Sequence, residues 1–507
     1  MALMLGLDIG TTGVKALAVR PDGAVAFESF SSCEISSPQP KWAEQNPEDW
    51  WRAFCRSTSQ LLAAGLKPGE IAAVGLSGQM HSSVFLDSQL RVFRPAILWC
   101  DVRTTRQCRE ITERAGLDLL RNEASNPALE GFTAPKVLWL REHEPAHFEQ
   151  LQHLLLAKDY IRFRLTGELA TDFSDAAGTL LFDVGARKWS RRILSALNLD
   201  PAILPPVIAS QQISGTITHH AAEETGLRAG TPVVGGGADN ACAAVGAGIV
   251  EEGVAQASIG SSGVFLAALS SHRADEHMRL HCMNHAAPDM WYLMGVMLTA
   301  GLSLKWFKEA FCNEEAEQAR REGRDVYDLL SESAASVPAG SEGLIFLPYL
   351  NGERTPHADS GARGLLCGLT LRHQKAHMVR AIMEGIAFGL RDSLELVRQL
   401  GIEVHEIILA GGGAKSPLWR QIQADVFGQP VRTLKVSDAA PFGAALLAGV
   451  GAGIFADCAQ ATLATVRKAE QVAPVPEHVR VYNDHYPLYK KLYALNRDVF
   501  HRLGTMT

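Results

Sequence analysis

Three features are missing from this sequence: it has no Cys-x-x-Cys pair, no Gly-Lys dipeptide and no surplus of basic residues. Its nine cysteines are scattered and odd in number, so a disulfide framework is not expected and the thiols read as reduced, in a cytoplasmic protein. Without Gly-Lys there is no P-loop to cradle a triphosphate. Forty-eight Lys plus Arg against 55 Asp plus Glu, net −7, argue against nucleic acid or a membrane as the main partner, so a bound anion needs a local site. No basic region precedes the first apolar stretch, which soon meets Asp8, so export is not expected. Residues 439–456 carry no charge, yet Pro441 and the small residues Gly443, Ala444, Gly449, Gly451 and Gly453 predict a tightly packed buried helix ending in a glycine loop, not a membrane span.

What is present is a long chain, 507 residues and 47% hydrophobic, more than one core holds. Leu3, Leu5 and Leu7 alternate into Asp8, a glycine turn follows, and Val14–Val19 resumes as a second strand. Near the midpoint Ser258-Ile259-Gly260-Ser261-Ser262-Gly263 echoes Asp8-Ile9-Gly10-Thr11-Thr12-Gly13, offset by 250 residues. A repeat at half length predicts a duplicated domain with one strand-turn-strand in each copy. Alternating strands such as 71–78 and 231–239 among longer helical stretches give an α/β fold, with domains at 1–250 and 251–507. Met378, Ile382, Ile386, Leu390, Leu394 and Val397 predict a long helix stopped at Gly401. Tyr482, Tyr486, Tyr489, Tyr493 and Phe500 predict an amphipathic one in the tail.

Gly10 and Gly13 allow a tight turn that aims amides and the hydroxyls of Thr11 and Thr12 at one point, with Asp8 at the strand end. An anion cannot bind phosphate directly, so Asp8 is expected to hold hydrated Mg2+. One such turn is commonly geometry alone; two copies favour a ligand. Asp239, after Gly235-Gly236-Gly237-Ala238 and before a helix, suits a base that takes the proton of an attacking hydroxyl, although Asp there also reads as an N-cap. No raised carboxylate pKa is required for that role. Gly411-Gly412-Gly413-Ala414-Lys415-Ser416 follows a strand and precedes a helix, a place for a nucleotide that fits neither standard glycine motif. Met80 and His81, Trp42, and Asp101 with Arg103 stand at strand ends near aromatics and suit a small polyol; Asp101–Arg103 also reads as a surface ion pair. His277, His281 and His285 sit four apart, but the flanking sequence reads as strands and no metal cluster is expected.

Together DIGTTGVK, WAEQNPEDWW, SGQMH, ILWCDVR, GFTAPK, KDY, SDAAGT, GGGADNA, SIGSSGV, LPYLNGERTPH and AGGGAKS resemble, in order and spacing, the FGGY family of carbohydrate kinases. The resemblance implies two actin-like, ribonuclease-H-like domains flanking a cleft, sugar on the first and ATP mainly on the second. It implies transfer of a phosphoryl group from ATP to a ketopentose, D-xylulose first, in xylose metabolism. Asp239 is then the expected base; Met80, His81, Asp239, Asn240, Trp42, Asp101 and Arg103 the expected sugar contacts; and Asp8 with Asp239 the expected Mg2+ carboxylates. Asp8, Thr11, Thr12, Gly260, Ser261, Ser262, Gly301, Lys305, Gly412, Gly413 and Ser416 are expected around the nucleotide. Ser261 stands where relatives commonly carry Thr, Lys305 where glycerol kinases carry Gln, and Cys100 where close relatives tend to have Asn. Alternatives are a kinase for ribulose, glycerol or another polyol, and a non-catalytic actin-like sugar sensor or assembly protein. A homodimer is expected from the resemblance alone.

Overall fold

The computed structural model describes residues 2–436 and 438–506. The first half builds a seven-stranded sheet from β1 (Leu3–Ile9), β2 (Gly13–Val19), β3 (Val25–Ser32), β4 (Ile71–Gly78), β5 (Ile213–Thr216), β6 (Pro232–Val234) and β7 (Gly237–Ala238), in the order β5-β6-β4-β1-β2-β3, with β7 pairing the end of β4. β1 and β4 run parallel and are almost wholly buried, which is why both read as nearly unbroken apolar runs. β3, at the edge, alternates buried and exposed residues. Helix α1 (Pro47–Ala63) packs on this sheet; the Asn46 side chain accepts the Glu48 amide, and proline with two acids fills the first turn. Two short helices, α2 (Phe173–Ala177) and α3 (Asp239–Gly246), follow.

The second half repeats the plan. Strands β8 (Val254–Ile259), β9 (Gly263–Leu269), β10 (His281–Asn284), β11 (Trp291–Met297), β12 (Glu406–Gly411), β13 (Val431–Leu434) and β14 (Lys468–Val472) order as β10-β11-β9-β8-β12-β13-β14. In both sheets a hairpin opens the copy and a later strand joins its first member in parallel. The copies differ in their turns: Ile9 pairs with Val14, whereas Ile259 pairs with Gly263, so the second turn is one residue tighter. Its helices include α4 (Gly301–Phe311), α5 (Lys375–Gln399), α6 (Pro417–Phe427), α7 (Ala439–Gly451) and α8 (Pro476–Gly504). The expected long helix, its stop at Gly401 in a left-handed conformation, and the tyrosine-studded tail helix are all present.

Helix α7 joins the halves. It carries no charge because it has no solvent face along most of its length: Pro441 through Gly449 are buried. It crosses α3 and lies on β1 and β4, where side chains at Gly6 and Gly75 would overlap its backbone. No helix among the described residues is long and apolar enough to cross a membrane. The two halves thus form an α/β pair of actin-like domains flanking a cleft.

Candidate active site

The ends of β1, β4 and β7 lie side by side, because Asp8 pairs with Ser77 and Gly237 pairs with Ser77 from the other edge. That register brings Asp8 and Asp239, far apart in sequence, to one point. Ser77 Oγ donates to Asp8 Oδ1 at 2.8 Å. Asp239 opens α3, and its Oδ1 accepts from the Asn240 backbone amide at 2.7 Å and from Asn240 Nδ2 at 3.0 Å. Burial, and then the charge of Asp8, raise the Asp239 carboxyl to about 7. Burial raises Asp8 as well, against the Ser77 hydrogen bond. The sequence reading needed no such shift; the structure imposes it, since two carboxylates share a site poor in water.

The first turn is braced from outside. Gly10 donates to the Gly13 carbonyl at 3.0 Å. Thr11 Oγ1 donates to Gln79 Oε1 at 3.2 Å and accepts from Trp99 Nε1 at 2.9 Å. Gln45 Nε2 donates to the Thr11 carbonyl at 2.8 Å, and Thr12 is exposed.

Asp239 and Asn240 face a cavity of about 250 Å³ lined from both halves: Met80, His81, Trp99 and Phe132 from the first, Ser262, His281, Val296 and Arg354 from the second. Asn240 Nδ2 lies 3.7 Å from Met80 Sδ. His81 Nδ1 is 2.5 Å from the Gly178 carbonyl, which can only accept, so Nδ1 carries the hydrogen and Nε2 is left as an acceptor. Burial, aided by the nearby Lys136 charge, lowers His81 to about 3, so it stays neutral. Lys136, itself lowered to about 7 by burial, donates to the carbonyls of His81 at 2.8 Å and Gly131 at 2.7 Å, fixing that wall.

Trp42, Asp101 and Arg103 are placed differently from the sugar contacts expected of them. Asp101 accepts from the Ala43 amide at 2.6 Å and from Arg103 Nε at 2.9 Å. Arg103 also pairs with Glu44 at 2.8 Å and stacks 3.6 Å from the Trp42 ring centroid. Neither is the pair at the surface: their side chains are 0% and 1% exposed. A carboxylate and guanidinium engaged this fully hold the wall behind Trp99 and do not line the cavity. Trp99, Phe132, His281 and Arg354 were missed as site residues, although three of them sit inside the quoted ILWCDVR, GFTAPK and LPYLNGERTPH segments.

Beneath the site lies a fully buried charge cluster from the KDY and SDAAGT segments. Lys158 Nζ meets Asp159 at 2.7 Å, Asp172 at 2.9 Å and Asp175 at 3.0 Å. Burial alone would lower the Lys158 ammonium, but the three carboxylates hold it well above its ordinary value. Asp172 also accepts from Ser174 Oγ at 2.5 Å, and Ser174 Oγ accepts the amide of Ala238, the residue before Asp239, at 2.9 Å. Lys158→Met leaves these three carboxylates with only Arg162, 4.0 Å from Asp159, as a buried cation and is expected to cost about 3–5 kcal/mol in urea unfolding.

On the opposite wall the Gly260 amide donates to the Ser262 carbonyl at 2.9 Å and closes the second turn. The amide of Gly301, at the start of α4, donates to the Gly260 carbonyl at 2.9 Å; any side chain at 301 would overlap that oxygen. Ile259 pairs with Gly411, which sets Gly412 and Gly413 beside the same turn. The second turn, the start of α4 and the third glycine cluster therefore converge, with Ser261 and Gly412 exposed. Ser416 Oγ caps α6, accepting the Trp419 amide at 3.3 Å. Lys305 is exposed on α4, 3.9 Å from Glu309.

Asp8 and Asp239 offer hard oxygen donors, and among the described residues no group of three or more His, Cys, Asp or Glu gathers for a metal. The pair fits an ion such as Mg2+ that keeps most of its water or phosphate ligands.

The N-terminal domain profile of the FGGY family of carbohydrate kinases matches residues 3–246, and its C-terminal domain profile residues 255–452. A xylulose kinase of Bacillus subtilis (strain 168) is 41% identical over 500 residues, 98% of each chain. Among solved structures, a xyloylose kinase from Brucella ovis superposes with a TM-score of 0.89 at 35% identity, over 98% of this chain and 100% of that one. A xylulose kinase from Rhodospirillum rubrum does so with 0.91 at 30% identity, with the same coverage. Duplicated α/β halves, a carboxylate facing a two-walled cavity, and matches spanning both halves lead to one conclusion: this chain belongs to the FGGY family of carbohydrate kinases.

Proposed function

We propose that the protein transfers the γ-phosphoryl group of ATP to the terminal hydroxyl of D-xylulose, giving D-xylulose 5-phosphate, with Asp239 as catalytic base. The observation that carries this reading is Asp239 at the mouth of α3, beside Asp8, in a cavity walled by both halves. Similarity to full-length xylulose kinases supports the choice of sugar.

The sugar lies against residues of the first domain, 1–250: Met80, His81, Asn240 and Trp99. The triphosphate lies along residues of the second, 251–507, where the turn at Gly260–Ser262 and the glycines at 301, 412 and 413 offer backbone amides and hydroxyls. Thr11 and Thr12 face it from the other side. As O5 attacks the γ-phosphorus, its proton passes to Asp239, the bond to the β,γ-bridging oxygen breaks, and ADP leaves. Mg2+, held through Asp8 and Asp239, supplies neutralisation of phosphate charge when bound. Asn240, by its two hydrogen bonds to one Asp239 oxygen, leaves the other oxygen for the hydroxyl. The protein acts in the cytoplasm, as a homodimer; light scattering on the purified protein checks the latter.

The test is Mg-ATP with D-xylulose beside D-ribulose, L-ribulose and glycerol, reading ADP. D-Xylulose should give the highest kcat/KM, and a higher value for any other alcohol would replace it. The pH profile carries a second expectation. His81 and His281 are each lowered to about 3 by burial and stay neutral, so neither shapes the acid limb; Asp239, raised to about 7, does, with Asp8, raised as well, beside it. The Asp239 carboxylate must be ionised to act, so kcat/KM should fall about tenfold per pH unit on the acid side, and the residual rate of Asp239→Asn should lose that part of the pH dependence.

A further inference from the structure

We propose that Arg354 donates hydrogen bonds to the C2 carbonyl oxygen of the sugar and so holds the substrate in its open-chain keto form. This rests on reading the cavity as the sugar site.

Arg354 reaches the cavity from the second half, on the wall facing Asp239. Its backbone is strapped down on both sides. Glu353 Oε1 accepts the amides of Leu298 at 2.9 Å and Arg354 at 2.7 Å. Thr355 donates its amide to the Val296 carbonyl at 3.0 Å, accepts the Val296 amide on Oγ1 at 3.0 Å, and donates that hydroxyl to the Arg279 carbonyl at 3.1 Å. The guanidinium itself has no such partner: among the described residues it forms no ion pair and no hydrogen bond. Burial lowers its pKa, with the more distant charges of Glu130 and Glu353 opposing. A rigidly delivered cation, half-buried and without a partner among the described side chains, keeps its donors for whatever enters the cavity.

The chemistry of the substrate says which acceptor. In a 2-ketopentose the C5 hydroxyl is the group that closes the furanose ring onto C2. An O5 free to attack phosphorus therefore comes with a free ketone at C2. A ketone oxygen only accepts, and a guanidinium only donates, so the two are matched without leaving a proton or lone pair stranded. A hydroxyl in the same place would bring its own hydrogen toward a cation. The remaining polar groups on the first wall serve other ends of the sugar: the Asp239 carboxylate and the His81 Nε2 are acceptors, suited to hydroxyl donors, and the Asn240 amide directs its Nδ2 to Asp239 Oδ1 and Met80 Sδ.

The test compares the native enzyme with Arg354→Met and Arg354→Lys on D-xylulose and on xylitol, which lacks the carbonyl. Loss of a hydrogen bond to a charged group should raise the D-xylulose KM about 10- to 100-fold in Arg354→Met, with little change in kcat, and should erode the preference for D-xylulose over xylitol by a similar factor. Arg354→Lys should recover part of both. Nucleotide-free binding followed by Trp99 fluorescence should give the same ordering even where xylitol turnover is too slow to read, and a cooperative thermal transition checks that each variant is folded. A fall in kcat at constant sugar KM, or equal losses for ketose and pentitol, would overturn the assignment. Failure of the native enzyme to phosphorylate D-xylulose would instead remove the proposed function, and the assignment with it.

Discussion

Asp239→Asn should lower kcat by about 100- to 10,000-fold while D-xylulose still binds within a few-fold of its native affinity. The substitution is nearly isosteric, and the amide oxygen can still accept from Asn240, so α3 keeps its start. What is lost is the site for the O5 proton. An alkoxide cannot form freely at neutral pH, so the attack on phosphorus stalls even with both substrates in place. A coupled ADP assay gives kcat, and calorimetric titration of the sugar without nucleotide gives the affinity. A variant with near-native kcat would show that the proton leaves by another route and that Asp239 only lines the cavity. Loss of sugar affinity equal to the loss of rate would make it a binding residue alone.

Gly443→Val should destabilise the protein by more than about 3 kcal/mol, read as a lower urea midpoint. At the crossing of α3 and α7 the two glycines Gly246 and Gly443 face each other. A side chain at 443 would run into the Cys242 carbonyl, and one at 246 into the Ala439 carbonyl. Both obstacles are backbone, so no side chain can rotate out of the way; the helices must part. Because α7 also rests on Gly6 and Gly75, lifting it strips cover from β1 and β4, the strands that hold Asp8. Activity per folded molecule should therefore fall along with stability. Native stability in Gly443→Val would mean that the crossing is looser than the geometry allows.

The two predictions draw on different kinds of information. The glycine-rich helix at 439–451 was legible from composition, since an uncharged run broken by small residues suits close helix packing; its partner was not. The hairpin turns at Asp8–Gly13 and Ser258–Gly263 were legible as well, and so were the long helix before Gly401 and the tail helix. Each depends on neighbours in sequence: turn residues, caps, and an apolar period of three to four. The likeness of the two turns even announced the duplication, though not that the second turn pairs one residue tighter.

Other features depended on which distant residues meet. Trp42, Asp101 and Arg103 look like sugar contacts when read along the chain, because polar groups at strand ends beside aromatics suit a polyol. Folding instead closes them on one another and on Glu44. Asp239 was readable as a base, but not its raised pKa, since burial and the field of Asp8 exist only once β1, β4 and β7 lie in register. Arg354 gave no sign of being unpaired, for a charge has or lacks a partner only in three dimensions. Sequence determined the local elements, the repeat and the family pattern, because short-range hydrogen bonding and periodicity are written in adjacent residues. Tertiary structure decided which charges are compensated and which face the cleft, because solvation and Coulomb energy depend on distance through space.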